Sequence, residues 1–100
     1  MQLAPGEGGQ IDHVVSKGGK RAFVESKFTI QELNDRTIDQ LKNAVKAADA
    51  GDVVILNVAR KPTAKELANL QKELGEAVFG KIKVVSSQTD LFREVKSALD

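Results

Sequence analysis

Hydrophobic and polar positions alternate along two short runs near the start of the chain, residues 11–16 and 21–28. Alternation with a period of two is typical of β-strands, and the connection through Gly18-Gly19 is typical of a two-residue hairpin turn. Residues 1–10 contain a proline and three glycines and show no periodic pattern. The pattern therefore predicts an irregular start followed by a β-hairpin over residues 11–28.

The two turn glycines also fix which residues of the hairpin face each other. If they occupy the turn, Lys17 pairs with Lys20, and the same register places Asp12 opposite Glu25. Because side chains alternate between the two faces of a strand, Lys27 lies on the same face as Glu25. Two carboxylates that face each other repel, so this hairpin predicts either a local loss of stability or a site for a cation.

The rest of the chain alternates between helical and strand patterns. A capping box at Thr29 opens an apolar periodicity that ends near Gly51, with a break expected at Asn34-Asp35. A second capping box at Thr63 opens another helix, which is expected to run to Gly80. The remaining segments are an apolar strand over residues 53–58, a short strand over 82–85 and a last helix capped by Ser87 or Thr89.

This order, β-β-α-β-α-β-α, predicts a single α/β domain over residues 1–100. A hairpin followed by alternating units over residues 29–100 implies a mixed sheet with helices on its faces. The continuous apolar run at 53–58 is typical of a strand covered on both sides.

Composition narrows the function classes. The chain has no cysteine, which excludes thiol chemistry. Its net charge is +1, so the molecule has no overall positive potential that would attract nucleic acid. The sequence contains no run of 18 apolar residues, so it predicts no membrane span. Its four phenylalanines predict no stacking platform for single-stranded nucleic acid. Basic residues cluster at the hairpin tip, Lys17, Lys20 and Arg21, where a solvated turn and phosphate contacts are both open interpretations. Arg60 and Lys61, at the end of the strand over residues 53–58, are most simply part of a solvated loop, with contact to a nucleic-acid backbone as the alternative interpretation.

The two opposed acids are of the residue type that binds hard metal ions. Asp12 and Glu25 supply the oxygen ligands that Mg²⁺ prefers, and the backbone carbonyl of Ser26 offers another. A lysine at position 27 would orient or deprotonate a water, or stabilise charge developing on a phosphate. Glu-x-Lys alone usually marks a solvated strand face, so the opposed Asp12 carries the functional interpretation. His13 lies on the opposite face and is predicted to be structural.

These residues resemble the PD-(D/E)xK nuclease superfamily, in which an Asp at a strand start precedes a Glu-x-Lys on the next strand. In this chain the motif reads Ile11-Asp12 and then Glu25-Ser26-Lys27, followed by a helix and a strand. The resemblance implies metal-dependent cleavage of DNA or RNA, with Asp12 and Glu25 as metal ligands and Lys27 as a catalytic residue. It implies Mg²⁺ as the cofactor, with Mn²⁺ or Zn²⁺ as alternatives.

The resemblance also implies accessory residues and a fold. Glu7 is similar to an earlier acidic residue of the family, and Gln31 or Gln40 to a polar residue of the following helix. The implied fold is the three-layer restriction-endonuclease-like sheet. Its first helix and strand are expected to be absent, because only ten residues precede Ile11. An open sheet edge would then favour a homodimer.

The motif surroundings are similar to bacterial toxin nuclease domains. That resemblance implies an immunity protein as partner and action in a bacterial cytoplasm after delivery, although the sequence itself leaves the compartment unknown. Two other functions stay open. One is a non-catalytic or truncated binding module, and the other is a nuclease of repair or recombination.

Overall fold

The structure, a computed structural model, describes residues 13–99. These residues contain four strands, namely β1 (His13–Lys17), β2 (Lys20–Lys27), β3 (Val53–Val58) and β4 (Ile82–Val85). The helices are α1 (Asp35–Ala47), α2 (Ala64–Leu74), α3 (Glu76–Phe79) and α4 (Gln88–Leu99), and a 3₁₀ turn spans Ile30–Glu32. The predicted order of strands and helices is confirmed, with the 3₁₀ turn and α3 as short additions. The irregular start predicted for residues 1–10 lies outside the described part.

The strands form one mixed sheet in the order β1-β2-β3-β4. β1 runs antiparallel to β2, whereas β2, β3 and β4 are mutually parallel. Among the described strands, none pairs with the outer edge of β1. The α/β class and the mixed sheet are therefore as predicted.

Two apolar clusters cover the two faces of this sheet. On one face, α1 and α2 pack against Phe23 of β2 and against Val54, Leu56 and Val58 of β3. On the other face, Leu91 and Val95 of α4 pack against the cluster of Val24, Ile55 and Val85. β3 is thus covered on both sides, as its continuous apolar run predicted. The result is a three-layer arrangement with β2 and β3 at its centre.

The first long helix begins later than its first capping box. Thr29 precedes only the 3₁₀ turn, and α1 starts after Asn34, whose side-chain oxygen accepts a hydrogen bond from the amide of Thr37 at 3.0 Å. The predicted break at Asn34-Asp35 is therefore the true helix start, because Asn is a strong N-cap residue. The helix ends at Ala47, so Gly51 lies in the following turn, where its φ is +93°.

Gly75 divides the second predicted helix. α2 begins with the predicted capping box, in which Thr63 and Glu66 each accept a hydrogen bond from the other's amide. It ends at Leu74 because Gly75 takes a φ of +89°, outside the helical region. The prediction of one helix up to Gly80 was wrong. The last helix is capped by Ser87, whose hydroxyl oxygen accepts from the amide of Asp90 at 3.0 Å.

Candidate functional site

The Gly-Gly turn sets the predicted hairpin register. Gly18 and Gly19 both have positive φ, +60° and +82°, which is the conformation that a tight hairpin turn with the right twist requires. Lys17 then pairs with Lys20, and His13 pairs with Val24. The predicted register is confirmed over the whole of β1. Two candidate site residues, Glu7 and Asp12, lie outside the described residues.

Glu25 is buried at the centre of the sheet. Its relative exposure is 1%, and it pairs with Leu56 of β3 on the face that α1 and α2 cover. Lys27 lies on the same face, two residues further along β2, as the alternation predicted. Its Nζ is 3.6 Å from Oε2 of Glu25, and its side chain is 31% exposed. The structure thus brings a buried carboxylate together with an ammonium group that reaches solvent.

This burial excludes the simplest interpretation of the Glu-x-Lys sequence. A solvated strand face would leave Glu25 in water, whereas here its carboxylate has left water almost completely. Burying a carboxylate costs several kcal/mol of desolvation energy. A well-placed cation offsets only part of that cost. An apolar side chain at this position would pack against Leu56 without that cost. An acid at position 25 therefore costs more than an apolar residue would, and its ion pair with Lys27 offsets part of that cost.

Ser26 lies between the two site side chains and faces the other way. Its hydroxyl oxygen accepts a hydrogen bond from Nδ2 of Asn57 at 3.4 Å. The carbonyl of Lys27 accepts from the amide of Ala59, on the β3 side. Because successive carbonyls of a strand point to opposite sides, the Ser26 carbonyl points towards the β1 side.

Gln40 is one of two polar side chains that α1 buries, the other being Thr37. Its relative exposure is 8%, and it makes no hydrogen bond to any described residue. Ile38 lines a cavity with residues of α2, and Val45 lines another with Val78 near α3. At about 100° per residue, Gln40 lies on the opposite flank of α1, towards β1 and β2.

Gln40 and Glu25 also lie at a similar height above the hairpin turn. Nη2 of Arg21 donates to the carbonyl of Ala47 at 3.2 Å, which fixes the end of α1 beside the start of β2. Gln40 is about 10 Å up the helix from Ala47. Glu25 is about 13 Å up the strand from Arg21. Gln40 and Glu25 therefore lie at comparable distances from this contact along α1 and β2, respectively.

Gln31 associates with a different group. Its side chain is exposed and hydrogen-bonds Glu66 at the start of α2. The amide of Thr63, first among several causes, lowers the pKa of Glu66, and Arg60 and Gln31 lower it further. Gln31 is thus part of the capping arrangement of α2, whereas Gln40 remains a candidate for the site.

Arg21 is a structural residue rather than a free cation at the hairpin tip. Its Nε and Nη2 donate to Asp52 Oδ2 at 3.1 and 2.8 Å, and its guanidinium lies 4.9 Å from the centre of the Phe23 ring. The Asp52 side chain is 2% exposed. The backbone amide of Asp49 and then the Arg21 side chain hold the pKa of Asp52 below its ordinary value.

The hairpin tip is remote from the Glu25–Lys27 pair. Lys17 and Lys20 are exposed, but Lys20 lies five residues before Glu25 along an extended strand, which is about 16 Å. The tip therefore offers a separate positive surface rather than a wall of the site. His13 lies on the opposite face, as predicted, and lines a groove between the hairpin and α4.

Cations do lie near the site at the carboxyl ends of β2 and β3. The amide of Arg60 donates to the carbonyl of Phe28 at 2.9 Å, directly after Lys27. Arg60 and Lys61 are exposed, in agreement with the solvated loop that the sequence predicts. The signal that could have placed them is topological, because carboxyl ends of adjacent parallel strands meet at one edge of a sheet.

The described residues do not by themselves form a cluster of metal ligands. No group of three or more His, Cys, Asp or Glu residues within residues 13–99 is arranged to hold a metal ion. The oxygen donors at the site are the Glu25 carboxylate and the Ser26 carbonyl, which suit a hard divalent cation. Within the same range, no helix is long and apolar enough to cross a membrane.

Comparisons with known proteins add no relative. No protein-family model matches the chain, and neither a curated protein nor a solved structure matches it.

Proposed function

We propose that this chain is a metal-dependent nuclease that hydrolyses phosphodiester bonds in DNA or RNA. The observation that carries the proposal is the Glu25 carboxylate, 1% exposed, with Nζ of Lys27 at 3.6 Å. Buried acids with a specific charged partner cluster at functional sites. The acid and the lysine also hold the places that the PD-(D/E)xK resemblance gives them.

The donor set fits a hard divalent cation, with Mg²⁺ as the first expectation and Mn²⁺ or Zn²⁺ as alternatives. Glu25 and the Ser26 carbonyl would hold it, together with Asp12, the sequence-predicted ligand outside the described residues. Such an ion would acidify a bound water and neutralise charge on phosphate oxygens. Among the described residues, Lys27 forms a salt bridge with Glu25.

Lys27 is suited to act on the reacting groups. Its ammonium group is fixed beside Glu25 while about a third of its side chain stays exposed, so a phosphate in solvent can reach it. In that position it would donate a hydrogen bond to the attacking water or to a phosphate oxygen. Gln40, buried on the flank of α1 that faces β2, is suited to orient Glu25 or a water beside it.

The direct test is cleavage of plasmid DNA and total tRNA, each with Mg²⁺, Mn²⁺ or Zn²⁺ and with EDTA. We expect metal-dependent cleavage that Glu25→Gln and Lys27→Met abolish. Matched controls are Glu73→Gln and Lys72→Met, which change exposed residues of α2 and should leave cleavage intact. Circular dichroism would verify that all four variants fold. Cleavage that survives in folded Glu25→Gln protein would refute the proposal.

A non-catalytic binding module is the alternative, and calorimetric titration with Mn²⁺ separates the two. Saturable binding that Glu25→Gln removes, together with cleavage, supports the nuclease. Binding of nucleic acid without either metal binding or cleavage supports the module.

A toxin context is part of the proposal and has its own test. Expression of the chain in bacteria should arrest growth, whereas expression of Glu25→Gln should not. A cognate immunity protein would be the partner that restores growth. Active enzyme that bacteria tolerate without protection would favour repair or recombination instead.

A homodimer through the outer edge of β1 is the other proposed partner arrangement. The even-numbered residues of β2 direct their backbone N–H and C=O groups towards β1. Their partners in β1 are His13, Val15 and Lys17, whose own N–H and C=O groups are therefore used within the hairpin. The outer edge therefore presents the backbone groups of Val14 and Ser16. A two-fold antiparallel pairing that satisfies all four groups places Val15 opposite Val15 of the second copy.

A further inference from the structure

An apolar groove runs between β1 and α4, on the face of the sheet opposite Glu25. Its volume is about 400 Å³. Its walls and floor are mostly hydrophobic and include His13, Val15, Val24, Leu91, Phe92 and Val95. Among the described residues that line it, none is an acid, a lysine or an arginine. We call this feature the α4 groove.

The α4 groove belongs to a larger exposed surface. Phe92 is 76% exposed and Val15 is 41% exposed, and all five residues of β1 are exposed. None of the described residues of α4 is fully buried, and α1, α2 and α3 pack in the layer on the other face of the sheet. Among the described strands, none pairs with the outer edge of β1. The open edge and the α4 groove are therefore neighbouring parts of one surface.

We infer that a second copy of this chain covers the α4 groove, with Phe92 of each copy packed between the two α4 helices. This inference rests on the homodimer proposed above through the outer edge of β1, and it adds the apolar surface that would hold that dimer together. β1 has only five residues, whereas stable interfaces use about 20–30 residues on each side. Pairing of the strand edges alone is therefore too small, and the contact has to continue onto a face of the sheet.

The geometry of the paired sheet brings the two grooves together. A two-fold axis between antiparallel strands is perpendicular to the sheet, so both α4 helices lie on the same face. α4 lies over β2, beside β1 and β3. Three strand spacings separate β2 from β2 of the second copy, which places the two α4 axes about 14 Å apart. Helices in direct contact lie about 8–10 Å apart, so a gap of about 4–6 Å remains. Phe92 is the large side chain that α4 directs into this gap.

The charges near the axis suit a second copy. A two-fold interface brings residues near its axis against their own copies, so a charged group there would repel itself. The residue at the axis is Val15, and the same register places Lys17 opposite His13 of the second copy and not opposite another lysine. The other edge of the sheet differs, because β4 carries the exposed Lys83. A lysine on a short edge strand is a common protection against pairing.

Sedimentation velocity over a range of protein concentrations measures the dissociation constant of the dimer, and circular dichroism verifies that each variant folds. We expect the wild-type chain to dimerise. Burial of part of one phenylalanine ring is worth about tenfold, and each dimer contains two, so Phe92→Ala should raise the dissociation constant about 100-fold. Phe92→Asp should abolish the dimer. Both variants should fold normally, because the ring is exposed in the single copy.

Two further variants separate the edge from the groove. Ser16→Pro removes an outward N–H of β1, which an edge strand tolerates, and should also abolish the dimer. Ser97→Asp is the matched control, because it adds the same charge to an exposed position about 140° around α4 from Phe92. It should leave the dissociation constant unchanged.

Phe92→Trp reports what covers the groove. The chain contains no other tryptophan, so the emission comes from this position alone. If a second copy covers the groove, the emission should shift to shorter wavelength as the protein concentration rises, in step with dimerisation. A blue-shifted emission at every concentration in a monomeric chain would instead show that residues of the same chain cover the groove, and would overturn the inference.

The outcomes keep the proposals apart. A dimer that persists in Phe92→Asp and Phe92→Ala would overturn the inference and leave the edge pairing standing. A dimer that Phe92→Asp dissociates but Ser16→Pro does not would also overturn it, because the geometry depends on the paired edges. A wild-type chain that stays monomeric would overturn both the inference and the homodimer. Cleavage is scored separately, so a monomeric Phe92→Asp variant that still cleaves nucleic acid leaves the nuclease proposal intact.

Discussion

Lys27→Met is the substitution with the most informative effect on stability. It keeps the length of the side chain and removes the ammonium group that lies 3.6 Å from the Glu25 carboxylate. Because Glu25 is 1% exposed, its carboxylate stays buried when the ammonium group of Lys27 is removed. Breaking a fully buried ion pair from one side costs about 3–5 kcal/mol. Lys27 is about one-third exposed, so solvent screens the pair and we expect about 2 kcal/mol.

The assay is urea unfolding followed by circular dichroism, with a thermal melt as a second measurement. A loss of about 2 kcal/mol corresponds to a Tm lower by about 8–16 °C for a domain of this size. Lys72→Met on the exposed face of α2 is the control, and it should stay within about 0.5 kcal/mol of wild type.

The double variant gives the prediction its sharpest form. Glu25→Leu removes the buried charge and should be neutral or stabilising, because an apolar residue of similar volume packs without desolvation cost. Combined with Lys27→Met, it should restore stability to about the wild-type level, which is a strong coupling between the two positions. The reasoning is refuted if Lys27→Met is as stable as Lys72→Met, or if the double variant is less stable than Lys27→Met alone.

Three further predictions concern the cap of α2, the carboxylate of Asp52 and the outer edge of β1. Thr63→Ala removes the cap of α2 and should cost about 1 kcal/mol, measured by urea unfolding; an unchanged midpoint would contradict the capping role. Asp52→Asn should lower stability at pH 7, because the Asp49 amide and Arg21 favour the ionised acid. Folding lowers the pKa of Asp52 from its ordinary value of 3.8, so the wild type loses this extra stability as the pH falls below 3.8. The difference in unfolding free energy between wild type and Asp52→Asn should therefore shrink there, and an equal difference at pH 7 and pH 3 would contradict the prediction. Val15→Cys should give a disulfide-linked dimer under oxidation, in a chain that has no other cysteine, whereas a control cysteine on α4 should stay monomeric; a monomeric Val15→Cys would argue against the edge-to-edge dimer.

Much of the hairpin could be predicted from the sequence because its determinants are local. The two glycines fix the turn, the turn fixes the register, and the alternation of side chains places Glu25 and Lys27 on one face. The burial of Glu25 could not be predicted, since it depends on α1 and β3 covering that face. An identical Glu-x-Lys on an uncovered strand would have been solvated.

Errors in the helices have similar causes. The sequence at Thr29 has a capping box, but the chain leaves β2 in a 3₁₀ turn and Asn34 caps the helix instead. The apolar spacing continues through Gly75, so the stripe predicted one helix, and the positive φ of that glycine ended it. The PD-(D/E)xK resemblance implies Gln31 or Gln40 as an accessory residue. The contact of Gln31 with Glu66, 35 residues further on, is decided by tertiary packing.

The parallel pairing of β2 with β3 also determines when the site is assembled. It joins residues about 30 positions apart, such as Ala22 with Val53, across the whole of α1. The hairpin closes over a few residues and forms early, whereas this crossover pays a larger loop-closure entropy and forms late. Glu25 therefore stays hydrated in the isolated hairpin and loses its water only when the crossover docks. A partly folded molecule in which this crossover has not yet docked therefore carries the acid without the enclosed surroundings of the folded sheet.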